Sequence, residues 1–258
     1  MARIKQNEYN IILQETNKRK ARSREFKNFL KTQPFPDSDS NNISEAYKAK
    51  ALMEAIRDEG FDIWDIAVQA KGYVVKNNND THSKNRAFED FLGGICNGKP
   101  EPDCSWGEIK LSQLVGAHKL EQVMTVGRIY KTDKETGERS IADKFEDSST
   151  YQKLKTCLIT TYLQQGKQLG KKIQNSFVFE VENEEWFERI KEDWEFYREE
   201  FIEYDRLVRE GKRKKRASGI MKSDTSGNRS PNGTLGIRSD GIIFNKKFFM
   251  EVSKYYDK

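Results

Sequence analysis

Apolar residues along this 258-residue chain recur mostly at steps of three and four, with short alternating stretches between them. That pattern predicts helices framing several strands. The longest stripe passes through Phe187, Ile190, Trp194, Tyr197, Phe201, Tyr204 and Val208. It predicts one amphipathic helix over 184–209 whose aromatic side packs into a core. A closing helix is expected over 246–256. Toward the N-terminus, Ile4, Ile11, Ile12, Phe26, Phe29 and Leu30 make 3–31 read as helical. A second helix is expected over 45–58, with Asn42 or Ser44 placed to cap it and Gly60 to end it, and a third over 61–70. Between the first two, Pro34 and Pro36 forbid a helix and make 33–42 a loop. Phe88, Phe91, Leu92 and Ile95 predict a further helix, closed by Gly93 and Gly94.

Strand signals are shorter. Residues 106–111 alternate, with Ile109 and Leu111 bracketing Lys110, and 123–129, 156–163, 177–181 and 242–244 read the same way. A charged turn spans 132–139, and a Gly- and polar-rich segment covers 218–241. Together these elements predict a mixed α/β fold. The polar break at 77–80 marks a soft boundary between a helical N-terminal region, 1–76, and a main domain, 77–258.

Composition narrows the chemistry. Charged residues make up 34% of the chain and hydrophobic ones 35%, yet 15 Phe, 10 Tyr and 4 Trp are enough to build a core. No apolar run approaches the ~18 residues that span a bilayer. The N-terminus has no apolar h-region before a cleavage site, so a cytoplasmic protein without a membrane partner is expected. Cys96, Cys104 and Cys157 have no CxxC spacing, against both a disulfide framework and a zinc ribbon. With only His82 and His118 as histidines, chemistry must fall to carboxylates, lysines and a hard metal ion.

One short segment places such groups together: Pro102-Asp103, then Glu108-Ile109-Lys110. Alternation on a strand points Glu108 and Lys110 to one side and Ile109 to the other. Asp103, on the turn feeding that strand, can converge with them. Two carboxylates hold a divalent ion through hard oxygens, and a lysine beside them orients water and stabilises developing negative charge. This is the PD-(D/E)xK nuclease pattern. An exposed strand of alternating charges carries the same letters, so the motif needs its context.

Several segments in order supply that context. They are Ala87-Phe88-Glu89-Asp90-Phe91-Leu92-Gly93, then Lys99 to Asp103 running on to Gly107-Glu108-Ile109-Lys110, then Tyr151-Gln152-Lys153-Leu154-Lys155. Glu184-Glu185 with Ile190-Lys191-Glu192-Asp193-Trp194-Glu195 follows, and Asp240 to Phe248 comes last. Over roughly 84–256 the chain resembles the MutH-like family of PD-(D/E)xK endonucleases, which includes GATC-cutting type II restriction enzymes. The resemblance implies a restriction-endonuclease-like core: a central mixed sheet flanked by helices, with two arms around a DNA cleft. The catalytic arm would cover about 84–165 and the DNA-recognition arm about 176–258. It further implies Mg²⁺, with Mn²⁺ able to substitute, and Asp103, Glu108 and Ile109 as metal ligands. Lys110 would be the catalytic lysine, Glu89 an accessory acid and Lys153 a second basic group near the phosphate. The implied partners are double-stranded DNA and, functionally rather than physically, a companion DNA methyltransferase.

A polyanion needs a cationic surface. The net charge of +5 is mild, from 46 basic against 41 acidic residues, but Lys212, Arg213, Lys214, Lys215 and Arg216 form a run that fits phosphate contacts. A solvated helix terminus would carry the same charges. Beyond the run, Lys222, Ser223, Asn228 and Arg229 have the groups that read base edges, Arg on guanine and Asn on adenine. The expectation is therefore a type II restriction endonuclease cutting double-stranded DNA. A mismatch-repair-type nickase and a catalytically silent DNA-binding protein are the alternatives.

Overall fold

The computed structural model describes residues 20–69, 81–94, 102–115, 119–120, 124–133, 136, 139–164, 171–213, 229–238 and 241–256. Its centre is a mixed sheet of four strands in the order β2-β1-β6-β7, formed by Lys119–Leu120 (β2), Glu108–Val115 (β1), Cys157–Gln164 (β6) and Lys171–Phe179 (β7). β1 and β6 run parallel, while β2 and β7 pair antiparallel to their neighbours. A parallel neighbour requires a long crossover. Here the crossover contains Thr125–Arg128 (β3), the hairpin Tyr130–Thr132 (β4) and Arg139–Ile141 (β5), a single 3-10 turn at Phe145–Asp147, and the short helix Ser149–Leu154 (α5). β3 leaves the central sheet and joins a second one, in the order β3-β9-β8, with Leu235–Arg238 (β8) and Gly241–Phe244 (β9). The mixed α/β class expected from the pattern is what the chain adopts.

Each face of the central sheet has its own core. Ile109, Leu111, Leu158, Tyr162, Ile173 and Val178 point to one side. They are covered by a helix described over 20–30 (α1), by Ser44–Asp58 (α2) and Ile63–Ala67 (α3), and by Thr81–Phe91 (α4). Cys157, Ile159, Phe177 and Phe179 point to the other, where Phe187–Arg209 (α6), Lys246–Tyr256 (α7) and the second sheet pack on them. The stripe of α6 is buried at Ile190, Trp194, Tyr197, Phe201 and Tyr204, with Phe187 half-buried at its edge. Among the described residues no helix is long and apolar enough to cross a membrane.

The differences from the expected elements have local causes. α3 is shorter than 61–70 because Phe61 stays outside it, its ring 4.7 Å from that of Phe26, and because Asp62 caps the helix by accepting from Trp64 and Asp65 N–H groups. Trp106 and Gly107 belong to a tight turn, in which Cys104 and Gly107 exchange main-chain hydrogen bonds, and β1 starts only at Glu108. β7 begins at Lys171 rather than 177, since cross-strand pairing with β6 carries the mostly polar residues 171–176 into the ladder. β8 lies inside the segment read as Gly- and polar-rich. Tyr151-Gln152-Lys153 form a helical turn capped by Ser148 Oγ, which accepts from the Tyr151 N–H at 3.1 Å.

Candidate active site

Pairing sets which side chains share a face. In the parallel register Glu108 lies beside Cys157 and Lys110 beside Ile159, whereas Ile109 lies beside Leu158. Glu108 and Lys110 thus face away from the N-terminal helices, and Ile109 faces them, fully buried. Gly107, at φ +156°, is required where the strand begins. A Cβ there would stand 2.1 Å from the Thr156 carbonyl oxygen, the same oxygen that accepts the Glu108 N–H at 2.9 Å. No side chain but hydrogen permits that approach.

Glu108 is 1% exposed. A buried carboxylate is costly unless cations and hydrogen bonds surround it. Its Oε1 accepts from Lys110 Nζ, two residues along the same face of the strand, and from Lys153 Nζ of α5 at 2.7 Å. Its Oε2 is buried with no hydrogen-bond partner. Asp103 reaches the same place from the turn, where its Oδ2 accepts the Ile109 N–H at 3.1 Å. Burial, and then the charges of Glu108 and Glu89, push the Asp103 pKa up to about 7, against the pull of Lys110. For the Lys110 ammonium burial acts the other way, but the Glu108 and Asp103 charges outweigh it and raise its pKa above the ordinary lysine value.

The expected cluster of Asp103, Glu108, Lys110 and Lys153 is therefore brought together, with Glu89 of α4 near enough for its charge to reach Asp103. α4 is held against the turn at its end: a Cβ on Gly94 would lie 3.3 Å from both Asp103 Cβ and Ile109 Cδ1. Cys104 and Cys157 border the cluster, and burial is the main cause that raises both thiols, Cys104 to about 12. Neither supplies a thiolate at neutral pH.

Whether the donors suit a hard divalent ion turns on their oxygens. Among the described residues no three His, Cys, Asp or Glu side chains are arranged to hold a metal. Mg²⁺, however, is commonly held by one or two carboxylates, with waters and substrate phosphate completing its shell. Two neighbouring carboxylates, Asp103 with its proton affinity raised by burial and by the Glu108 charge, and Glu108 with a buried oxygen lacking a partner, fit that role. Ile109 could contribute only its main-chain oxygen.

The surface residues are divided. Lys214, Lys215, Arg216, Lys222, Ser223 and Asn228 lie outside the described residues. Lys212, Arg213 and Arg229 gather around the C-terminal half of α6. Lys212 pairs with Glu210 at 2.7 Å, the Arg213 guanidinium stands 4.9 Å from the Tyr204 ring centroid, and Arg229 pairs with Glu200.

A residue to which the sequence reading gave no role of its own anchors this region. Asp193 of α6 is fully buried, and its Oδ2 accepts from Thr234 N (2.6 Å), Thr234 Oγ1 (2.7 Å) and Leu235 N (3.2 Å), while Oδ1 accepts from Asn232 N (2.7 Å). The signal was present: Asp193 falls between Ile190 and Tyr197 on the apolar stripe, where a carboxylate needs an internal partner. No protein-family model matches this chain, and no curated protein matches it.

Proposed function

We propose that this protein is a Mg²⁺-dependent endonuclease of the type II restriction kind, hydrolysing phosphodiester bonds at specific sites in double-stranded DNA. The observation that carries the reading is the Glu108 carboxylate: one oxygen takes two lysines, the other is buried without a partner, and Asp103 stands beside it. Buried carboxylate oxygens are as a rule hydrogen-bonded, so the bare Oε2 of Glu108 calls for a partner. A carboxylate with a spare buried oxygen, near a second acid of raised proton affinity, is poised for a cation.

Asp103 and Glu108 would hold that cation, with Glu89 as accessory acid. Held there, Mg²⁺ would supply positive charge against the scissile phosphate and make water a better nucleophile. Lys110, about one-fifth exposed and held in its charged form by Glu108 and Asp103, orients the attacking water and meets the charge that builds on the phosphate. Lys153 holds the same oxygen of that carboxylate and presents a second cation to the phosphate. The central mixed sheet with helices on both faces suits the restriction-endonuclease-like core, and the basic residues near the end of α6 suit a recognition arm.

The test is incubation of supercoiled plasmid with the purified chain in Mg²⁺, repeated in EDTA and with Asp103→Ala and Glu108→Ala. Discrete linear fragments that vanish in EDTA and in both variants support the proposal. Accumulation of nicked circles alone would point to a nickase. Tight DNA binding with no cleavage in Mg²⁺ or Mn²⁺ would leave a DNA-binding protein in its place.

A further inference from the structure

Lys153 is the one lysine of the cluster that comes from outside β1 and its turn. Its helix, α5, has six residues, too few to hold a helix on propensity alone. Tertiary contacts therefore decide where the ammonium stands. At the N-terminal end Ser149 Oγ accepts the Arg128 N–H at 2.8 Å and donates to the Arg128 carbonyl at 3.2 Å. Thr150 Oγ1 donates to that carbonyl as well, at 3.2 Å. At the other end the Leu154 carbonyl accepts the Val181 N–H, and the Thr156 carbonyl accepts that of Glu108, both at 2.9 Å.

Gly127 makes the first of these docks possible. It lies on β3 at φ +151°, and a Cβ there would stand 2.4 Å from Thr150 Cα and 2.6 Å from Thr150 N. Main chain thus lies on main chain, with nothing flexible to give way. Ser149 and Thr150 precede Lys153 by four and three residues, so all three share one helix face. The surface that sits on Gly127 and Arg128 is the surface from which Lys153 reaches Glu108.

We propose that Gly127, with the Ser149 and Thr150 hydroxyls, is a positioning device that sets Lys153 on Glu108 for phosphodiester hydrolysis. This inference rests on the endonuclease reading of the cluster. It makes the second sheet the reference for Lys153, whereas Glu108 and Lys110 take their positions from the central sheet. A methyl group on Gly127 must move α5 by about 1 Å to restore ordinary contact, and a displacement of that size at a reacting centre can cost ~10²-fold in rate.

Gly127→Ala and Thr150→Val are compared with the wild-type full chain by two measurements. The first is the rate of reductive methylation of each lysine amine in metal-free protein, read by mass spectrometry. The second is single-turnover plasmid cleavage in Mg²⁺ across a range of DNA concentrations. We expect Lys153 to be methylated several-fold faster in Gly127→Ala, while Lys110 does not speed up. Maximal cleavage should fall about 10²-fold at an unchanged half-saturating DNA concentration. Thr150→Val, which keeps the shape and loses the hydroxyl, should move both readouts the same way by less, and it carries the test if Gly127→Ala does not fold. Wild-type Lys153 reactivity in folded variants overturns the proposal, whether or not cleavage falls. If the wild-type chain cleaves nothing while Lys153 reactivity rises in the variants, the placement of Lys153 by Gly127 stands and the endonuclease reading alone is lost.

Discussion

Lys153 Nζ lies 2.7 Å from Glu108 Oε1, across 45 residues of chain, on the same oxygen that takes Lys110. Two cations on one oxygen leave the other oxygen of the carboxylate buried without a partner. That asymmetry is the feature on which the proposed function rests. Under the proposed endonuclease reading the parts separate: the carboxylates would hold a metal, and the lysines would act on water and phosphate.

Lys110→Ala should therefore abolish cleavage while leaving DNA affinity nearly unchanged. Loss of transition-state stabilisation of this kind costs ~10²–10³ in rate. The comparison is single-turnover cleavage against equilibrium binding in Ca²⁺. Cleavage at wild-type speed would show that the cluster is not the active site.

Asp103 should make the metal-free protein less stable as pH rises. An unfolded aspartate titrates near ~4, but burial and the Glu108 charge raise Asp103 in the fold to about 7. Between these values the folded chain keeps a proton that the unfolded chain has released, so stability is full below ~4 and is lost as pH rises through about 7. Melting temperatures in EDTA should fall from pH 5 to pH 8, and Asp103→Asn should flatten that fall. An equal pH dependence in the variant would contradict the assignment.

Asp193→Ala should destabilise the fold severely without touching the cluster around Glu108. It orphans the main-chain donors of Asn232, Thr234 and Leu235 and the Thr234 hydroxyl. Each orphaned buried donor costs roughly 1–3 kcal/mol. Urea unfolding of the variant measures the loss, and a change under about 1 kcal/mol would mean that these bonds are readily replaced by water.

The cationic surface should divide into positioning and reading. Neutralising Lys212, Lys214 and Lys215 should weaken binding to every duplex and reduce the salt slope by up to ~0.9 per lost phosphate contact. Arg229→Ala should cost roughly 1–3 kcal/mol on the cognate sequence alone, as expected for a bidentate contact to guanine. Salt titrations on cognate and scrambled duplexes check both. If Arg229→Ala weakens the two duplexes equally, Arg229 is a phosphate contact and the bases are read elsewhere.

What the sequence determined by itself was local. The three-and-four stripe of α6, the closing helix α7 and the β-branched run of β6 were legible because each element's period is written in its own residues. So was the shared side of Glu108 and Lys110, since strand alternation puts residues two apart on one face. Tertiary structure decided the rest. Residues 171–176 become strand only because β6 offers them a ladder, and β8 only because β9 pairs with it and Asp193 holds the residues before it. The residues suggested a role for Lys153 by resemblance to a family, but its position depends on Gly127 meeting Thr150 and on Thr156 meeting Gly107. Close approaches between distant main-chain segments have no period along the chain, so they appear only when the sheets are assembled.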